Sequence, residues 1–231
     1  MKIPNFIFLA SPHNVAKAYL ATMLELGLIP ERIIFTDFSR PPVSKPARRQ
    51  LKSISPIKIL RRLMQKVAQT PGASALKGGA IYEHVVNYVI RQSDLPSVEF
   101  FTSTEELLER HRLPYERIQI ASLNDPEFIS LISRAPQTVA LYVEGGILRK
   151  PVLSTHVRFL HIHPGIVPFV KGSTCLLWSA LVRKKVGMSC FYMNEGIDAG
   201  DVILTREYPI PEIPIPAHLM GPQYAEARYL A

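Results

Sequence analysis

Two histidines one residue apart, followed at once by a Pro-Gly pair, make the most chemically capable stretch of this chain. It reads Phe159-Leu160-His161-Ile162-His163-Pro164-Gly165-Ile166-Val167-Pro168-Phe169-Val170-Lys171-Gly172. On a strand, His161 and His163 point to the same face. Pro164-Gly165 then ends the strand, and Pro168 with Gly172 shapes an exposed loop. Imidazoles titrate near neutral pH, so such a pair can carry protons, donate hydrogen bonds or bind a metal. Further along, Gly196-Ile197-Asp198-Ala199-Gly200 sets Asp198 in a tight turn between strands at about 187–194 and 201–206. An aspartate in that frame commonly serves only its own turn backbone. Brought beside the two rings, it completes a set suited to acid–base work or to holding a divalent cation with open positions.

These side chains need a scaffold that brings distant segments together. Phe6–Leu9 is a short apolar run of the kind a doubly covered parallel strand requires. Ser11 and Asn14 are both candidate caps for a helix over Val15–Leu28, and Ile33-Ile34-Phe35 is a second strand. Residues 39–55 are rich in Pro, Ser and basic side chains and read as an insertion or loop. Helices follow at about 57–69 and 81–93, separated by Thr70-Pro71-Gly72 and Gly78-Gly79. Alternation then resumes: strand Ser97–Phe101, helix Thr104–His111, strand Ile118–Ala121, helix Asp125–Arg134 and strand Val139–Val143. This predicts an α/β fold, an open, mostly parallel twisted sheet with helices on both faces. Polar residues at the carboxyl end of such a strand, where 161–163 fall, sit where these sheets bind ligands. One α/β domain is expected over 1–208, carrying a basic insertion at about 39–95. The five prolines between 209 and 222 predict an extended tail over 209–231 with a short helix.

Composition narrows the function classes. Hydrophobic residues at 47% and charged residues at 20% exclude wholesale disorder and a fibrous fold. No apolar run nears the roughly 18–20 residues that span a bilayer. Phe6–Ala10 falls short of the ~7–15 residues of a secretory core, so no signal peptide, no membrane partner and a cytoplasmic location are expected. Cys175 and Cys190 make neither a disulfide framework nor a zinc site and read as reduced, partly buried thiols. The 27 basic residues exceed the 19 acidic ones, and the excess is concentrated: Asp37 and Glu83 bracket a stretch free of acidic residues that holds Arg40, Lys45, Arg48, Arg49 and Lys52 among others. Such a stretch attracts phosphates, and equally describes a solvated helix face. Aromatic residues are not interleaved with it, so no nucleic-acid partner is expected.

The run His163-Pro164-Gly165-x-x-Pro168-x-x-x-Gly172, a helix ending near Arg183, a strand and then Asp198-x-Gly200-Asp201 together resemble the catalytic core of the formyltransferase family. Known members act on glycinamide ribonucleotide, methionyl-tRNA or nucleotide-linked sugars. Gly145-Gly146-Ile147-Leu148 resembles the family's Gly-x-Ile-Leu segment. The likeness is specific over about 140–206, generic over 1–38, and absent from 39–95.

The resemblance implies a Rossmann-like formyltransferase fold, 10-formyltetrahydrofolate as cosubstrate and a small amine as acceptor. By position His163 matches the family histidine and Asp198 its aspartate, but His161 stands where the family has asparagine. Transfer passes through a tetrahedral oxyanion, which needs donors aimed at the developing charge, and an imidazole N–H can replace an amide there. The resemblance puts His161, His163 and Asp198 in catalytic roles, with no resident metal. It puts Ile147, Leu148, Pro164, Gly165, Ile166, Val167, Gly196 and Gly200 around the folate, and Ser11, Asn14, Glu144 and Lys171 toward the acceptor. The short stretch after residue 206 lacks the extra domain of the methionyl-tRNA enzymes, and the basic 40–66 stretch favours a nucleotide-sugar or another phosphorylated amine. A homodimer is left open. Two alternatives stand beside transfer: a hydrolase or deformylase, metal-assisted through His161, His163 and Asp198, and a noncatalytic folate-binding homologue.

Overall fold

A computed structural model describes residues 1–39, 73–92, 94, 99–172, 175–210 and 212. The chain divides into two compact units, Met1–Val43 with Ser97–Pro211, and Ser44–Pro96 with Glu212–Ala231. In chain order the elements are β1 (Lys2–Ala10), α1 (Asn14–Glu25), β2 (Ile29–Asp37), α2 (Ala73–Gln92), α3 (Thr104–Arg110), β3 (Glu116–Gln119), α4 (Pro126–Ser133), β4 (Val139–Tyr142), α5 (Lys150–Leu153), β5 (Arg158–His163), α6 (Cys175–Arg183), β6 (Lys185–Tyr192) and β7 (Asp201–Pro209). All but α2 lie in the first unit.

The strands form one seven-stranded sheet in the order β3-β2-β1-β4-β5-β6-β7. Every pairing from β3 to β5 is parallel, whereas β6 runs antiparallel to β5 and β7 antiparallel to β6. The α/β architecture read from the alternation is therefore present, with an antiparallel edge added. Side chains of β1 alternate between two cores. Ile7 and Leu9 join Phe128 and Ile132 of α4, Val152 of α5 and Phe159 of β5 on one face. On the other, Phe8 and Ala10 join Ala16 and Leu20 of α1 and Leu107 and Leu108 of α3. Burying both faces of a parallel sheet is what requires the near-continuous apolar runs of β1 and β2.

The helix starts follow capping chemistry, with one correction. Ser103 Oγ accepts the Glu106 N–H at 3.1 Å, and Asp125 Oδ1 accepts the Glu127 N–H at 3.1 Å. At α1 the cap is His13, whose Nδ1 accepts the Val15 N–H at 3.2 Å. Ser11 Oγ is turned to the His13 N–H instead, and Asn14 is already helical. The helix also stops at Glu25, short of Leu28.

Three further expectations change. Glu99–Phe101 is not a strand; Glu99 pairs with the Arg110 guanidinium and lies 3.6 Å from His111 Nε2, so this segment anchors side chains ahead of α3 rather than joining the sheet. α2 runs through Gly78-Gly79, which the sequence marked as a break. Each glycine costs a helix about 1 kcal/mol relative to alanine, and the flanking Ala75, Leu76, Lys77 and Ala80 are helix formers that carry it through. β7 continues to Pro209, where it pairs with Lys185, into residues read as tail. The helix expected at 57–69, most of the basic insertion and the tail beyond 212 lie outside the described residues. Among the described residues, no helix is long and apolar enough to cross a membrane.

Candidate active site

The site grows from the carboxyl ends of β4 and β5. Register sets Tyr142 opposite His161 across the parallel pair and Phe191 opposite His161 across the antiparallel one. The His161 ring is held between them, edge-to-face with Tyr142 at 5.1 Å and with Phe191 at 5.6 Å. His163 lies one side-chain repeat further along the same face, with ring centroids 6.0 Å apart. The alternation read from the sequence thus places both imidazoles as expected.

Asp198 comes from the loop joining β6 to β7. Met193 N–H, donated to the Phe159 carbonyl at 2.8 Å, pins this loop to β5. Within it, Asn194 Oδ1 accepts the Gly196 N–H and Asn194 Nδ2 donates to the Ala199 carbonyl, both at 2.9 Å. Asp198 sits at φ +47°, a left-handed conformation that aspartate tolerates better than most residues. Its Oδ1 lies 3.6 Å from His163 Nδ1, and its Oδ2 accepts the Gly172 N–H at 2.7 Å. One donor atom from each of His161, His163 and Asp198 fits within 4.8 Å.

A cleft of about 420 Å³ opens over this cluster. Of the residues singled out in the sequence, His161, His163, Asp198, Ile147, Leu148, Pro164 and Gly196 line it. Gly165, Ile166, Val167 and Gly200 are not in the lining and act as structure. Gly165 leaves room behind the His163 ring, since a Cβ there would lie 3.0 Å from Nε2. Ile166 packs on Gly187. Val167 N–H is held by Ser189 Oγ at 3.1 Å. A Cβ on Gly200 would fall 1.6 Å from the Tyr192 carbonyl oxygen.

The four residues read as acceptor contacts lie outside this lining. Ser11 is buried with its Oγ occupied by the His13 N–H, because the sheet end closes over it. Asn14 is the exposed first residue of α1, Lys171 is exposed, and Glu144 follows β4; none of the three is in the lining. The sequence reading missed Tyr142, Asn194 and Met193 as cleft residues. Tyr142 was legible in principle, as the last residue of the strand preceding the glycine pair.

Electrostatics separate the groups. Burial, then repulsion from His163, lowers the His161 pKa below its ordinary value, so this ring is neutral near pH 7. Among the described residues its buried Nδ1 has no hydrogen-bond partner. Burial, followed by the charges of Glu144 and Asp198, pushes the Tyr142 phenol up to about 12, and its hydroxyl donates to the Gly146 carbonyl at 2.7 Å.

The fold and site define an α/β protein with a His-His-Asp cleft at the carboxyl end of its parallel strands. No protein-family model matches the chain. It is 30% identical over 97 residues to the methionyl-tRNA formyltransferase of Syntrophus aciditrophicus, a match covering 41% of this chain and 31% of that protein. With the methionyl-tRNA formyltransferase of Pelotomaculum thermopropionicum it shares 26% identity over 134 residues, covering 56% and 43%. The match spans less than half the length of either relative. A phosphoribosylglycinamide formyltransferase from Bacillus halodurans is similar in structure at a TM-score of 0.48 and 12% identity, covering 99% of this chain and 87% of that one.

Proposed function

We propose that the cleft transfers a formyl group from 10-formyltetrahydrofolate to a primary amine. The observation that carries this reading is the meeting of His163 Nδ1 and Asp198 Oδ1 at 3.6 Å, from segments 35 positions apart, beneath an open cleft. The cleft suits the cosubstrate: its volume falls within the ~300–1,000 Å³ usual for small-molecule sites. Ile147, Leu148, Met193 and Ile197 give it apolar walls, and Gly146 and Gly196 leave them low. The folate supplies the formyl group in activated form.

The chain's own residues supply the rest. His163 presents Nδ1 to the reacting centre and takes up the proton that the amine sheds, while Asp198 stabilises the resulting imidazolium. His161, neutral and fixed between two aromatic rings, offers an N–H to negative charge developing on the formyl oxygen. The preference for a nucleotide-sugar or another phosphorylated amine rests on the basic 40–66 stretch of the sequence. The test is to follow tetrahydrofolate release with a panel of anionic amines. Release that depends on one amine supports transfer, and release of formate without any amine assigns hydrolysis. Folate binding with no turnover assigns the noncatalytic reading.

A divalent metal is the second reading, favoured by the unpartnered His161 Nδ1 and by three donors within 4.8 Å. The 3.6 Å between His163 Nδ1 and Asp198 Oδ1 is close to the edge of a tetrahedron with metal–ligand bonds of ~2.0–2.2 Å. Metal analysis together with His161→Asn separates the two. Asparagine restores the family's amide donor, so transfer survives; in a metal site, bound metal and activity disappear together.

A further inference from the structure

The side of His163 turned away from the cleft carries groups that the transfer reading leaves idle. Its Nε2 lies 3.2 Å from the Val170 carbonyl oxygen and 3.3 Å from Cys175 Sγ. The Cys175 thiol donates to the Gly172 carbonyl at 2.9 Å, and the Gly172 N–H donates to Asp198 Oδ2 at 2.7 Å. Asp198 Oδ1 then faces His163 Nδ1. The four residues close a circuit around the imidazole.

The circuit has a direction. A backbone carbonyl and a carboxylate both only accept, but the Val170 oxygen lies within hydrogen-bond reach of Nε2 at 3.2 Å whereas Asp198 Oδ1 stands 3.6 Å from Nδ1, so the proton of the neutral His163 ring belongs on Nε2. With the thiol proton committed to Gly172, Cys175 presents sulfur lone pairs to that same nitrogen and reinforces the tautomer. Nδ1 is left bare toward Asp198 and the cleft. We propose that Cys175 is a positioning residue: it holds His163 in the Nε2–H form and ties its orientation, through Gly172, to that of Asp198. The proposal rests on the transfer reading for its catalytic consequence, though not for the tautomer itself.

Packing supports the same role. A Cβ on Gly165 would lie 2.8 Å from the Val170 oxygen, 3.0 Å from His163 Nε2 and 3.1 Å from Cys175 Cβ, so the space behind the ring is filled. A nucleophilic role for the thiol is excluded by placement. Cys175 is 1% exposed, is not in the cleft lining, and meets the ring on the nitrogen opposite to the one facing Asp198.

The test compares Cys175→Ser, which keeps both a donor and an acceptor, with Cys175→Ala, which keeps neither. Two-bond proton–nitrogen NMR correlations on the whole chain, without substrate, assign the His163 tautomer. The wild type and the serine variant are expected to show the Nε2–H form, and the alanine variant a mixture of both. Turnover number should fall about tenfold in the alanine variant, the factor one ordinary hydrogen bond is worth, with KM for folate unchanged and serine restoring the rate. Wild-type tautomer and rate in Cys175→Ala would overturn the proposal. If that variant does not fold, a folded Cys175→Ser that loses the Nε2–H form overturns it instead. A tautomer shift in a protein that transfers nothing to any amine upholds the role of Cys175 and rejects the transfer reading.

Discussion

Replacing Asp198 by asparagine removes a charge while leaving the loop its geometry. Asparagine tolerates φ +47° about as well as aspartate, and its side-chain carbonyl still accepts the Gly172 N–H now held at 2.7 Å. The melting temperature should therefore move by no more than about 2–4 °C, the equivalent of ~1 kcal/mol in a chain of this size. What is lost is the attraction between the carboxylate and an imidazolium 3.6 Å away. With an effective dielectric of ~20 that attraction is about 5 kcal/mol, and in bulk water about 1 kcal/mol. The Asp198 side chain is 15% exposed, so the effect lies toward the upper end. At 1.36 kcal/mol per decade, turnover number should fall on the order of 10²–10³-fold. The assay is release of tetrahydrofolate under saturating amine, beside a circular-dichroism melt of the same preparation. A folded Asp198→Asn variant within threefold of the wild-type rate would refute the assignment, because the negative charge would then take no part in proton uptake.

Further predictions address the other residues of the site. His161 is held below its ordinary pKa of 6.5 by burial, so the unfolded chain binds a proton that the folded one refuses. Stability should accordingly be constant from this source above pH 6.5 and decline as pH falls below it, toward the depressed folded value. Melting curves between pH 5 and 7.5 should show that slope reduced in His161→Asn; equal slopes would contradict the burial of a neutral ring. Gly165→Ala should lower turnover ~100-fold and also lower the melting temperature, since its methyl reaches the His163 ring at 3.0 Å and the Val170 backbone oxygen at 2.8 Å. Gly200→Ala should melt roughly 6–12 °C lower, for a loss of about 3 kcal/mol, because its Cβ meets the Tyr192 backbone oxygen at 1.6 Å and cannot be relieved by a side-chain rotation.

Which parts of this molecule were legible in the sequence follows from the range of the interactions involved. The apolar run of β1 and the spacing His161-x-His163 are local signals, and the burial of both faces of β1 and the shared face of the two histidines came out as read. Asp198 was legible as a turn residue, but its distance from His163 depends on the Met193 anchor on β5, which no local pattern announces. His13 displaced the two better cap types because Ser11 was already turned toward the His13 N–H. Glu99–Phe101 has strand composition, yet its carboxylate is drawn to Arg110 and His111. Cys175 carried no signal at all. Read by itself it is a small buried thiol, and only the fold brings its sulfur to Nε2.

β5 belongs to two systems at once, the last of the parallel strands and the first partner of an antiparallel pair. Its own histidines sit on the robust side of that seam, backed by Phe159 in a buried core. The carboxylate that completes them arrives on the other side, from a hairpin whose outer strand, β7, is exposed at every residue. Edges of this kind open before a protein's centre does. Rising urea should thus part Asp198 from the two rings, and on the transfer reading end turnover, while most far-ultraviolet ellipticity survives, leaving a folded but inert body that recovers once the hairpin closes again.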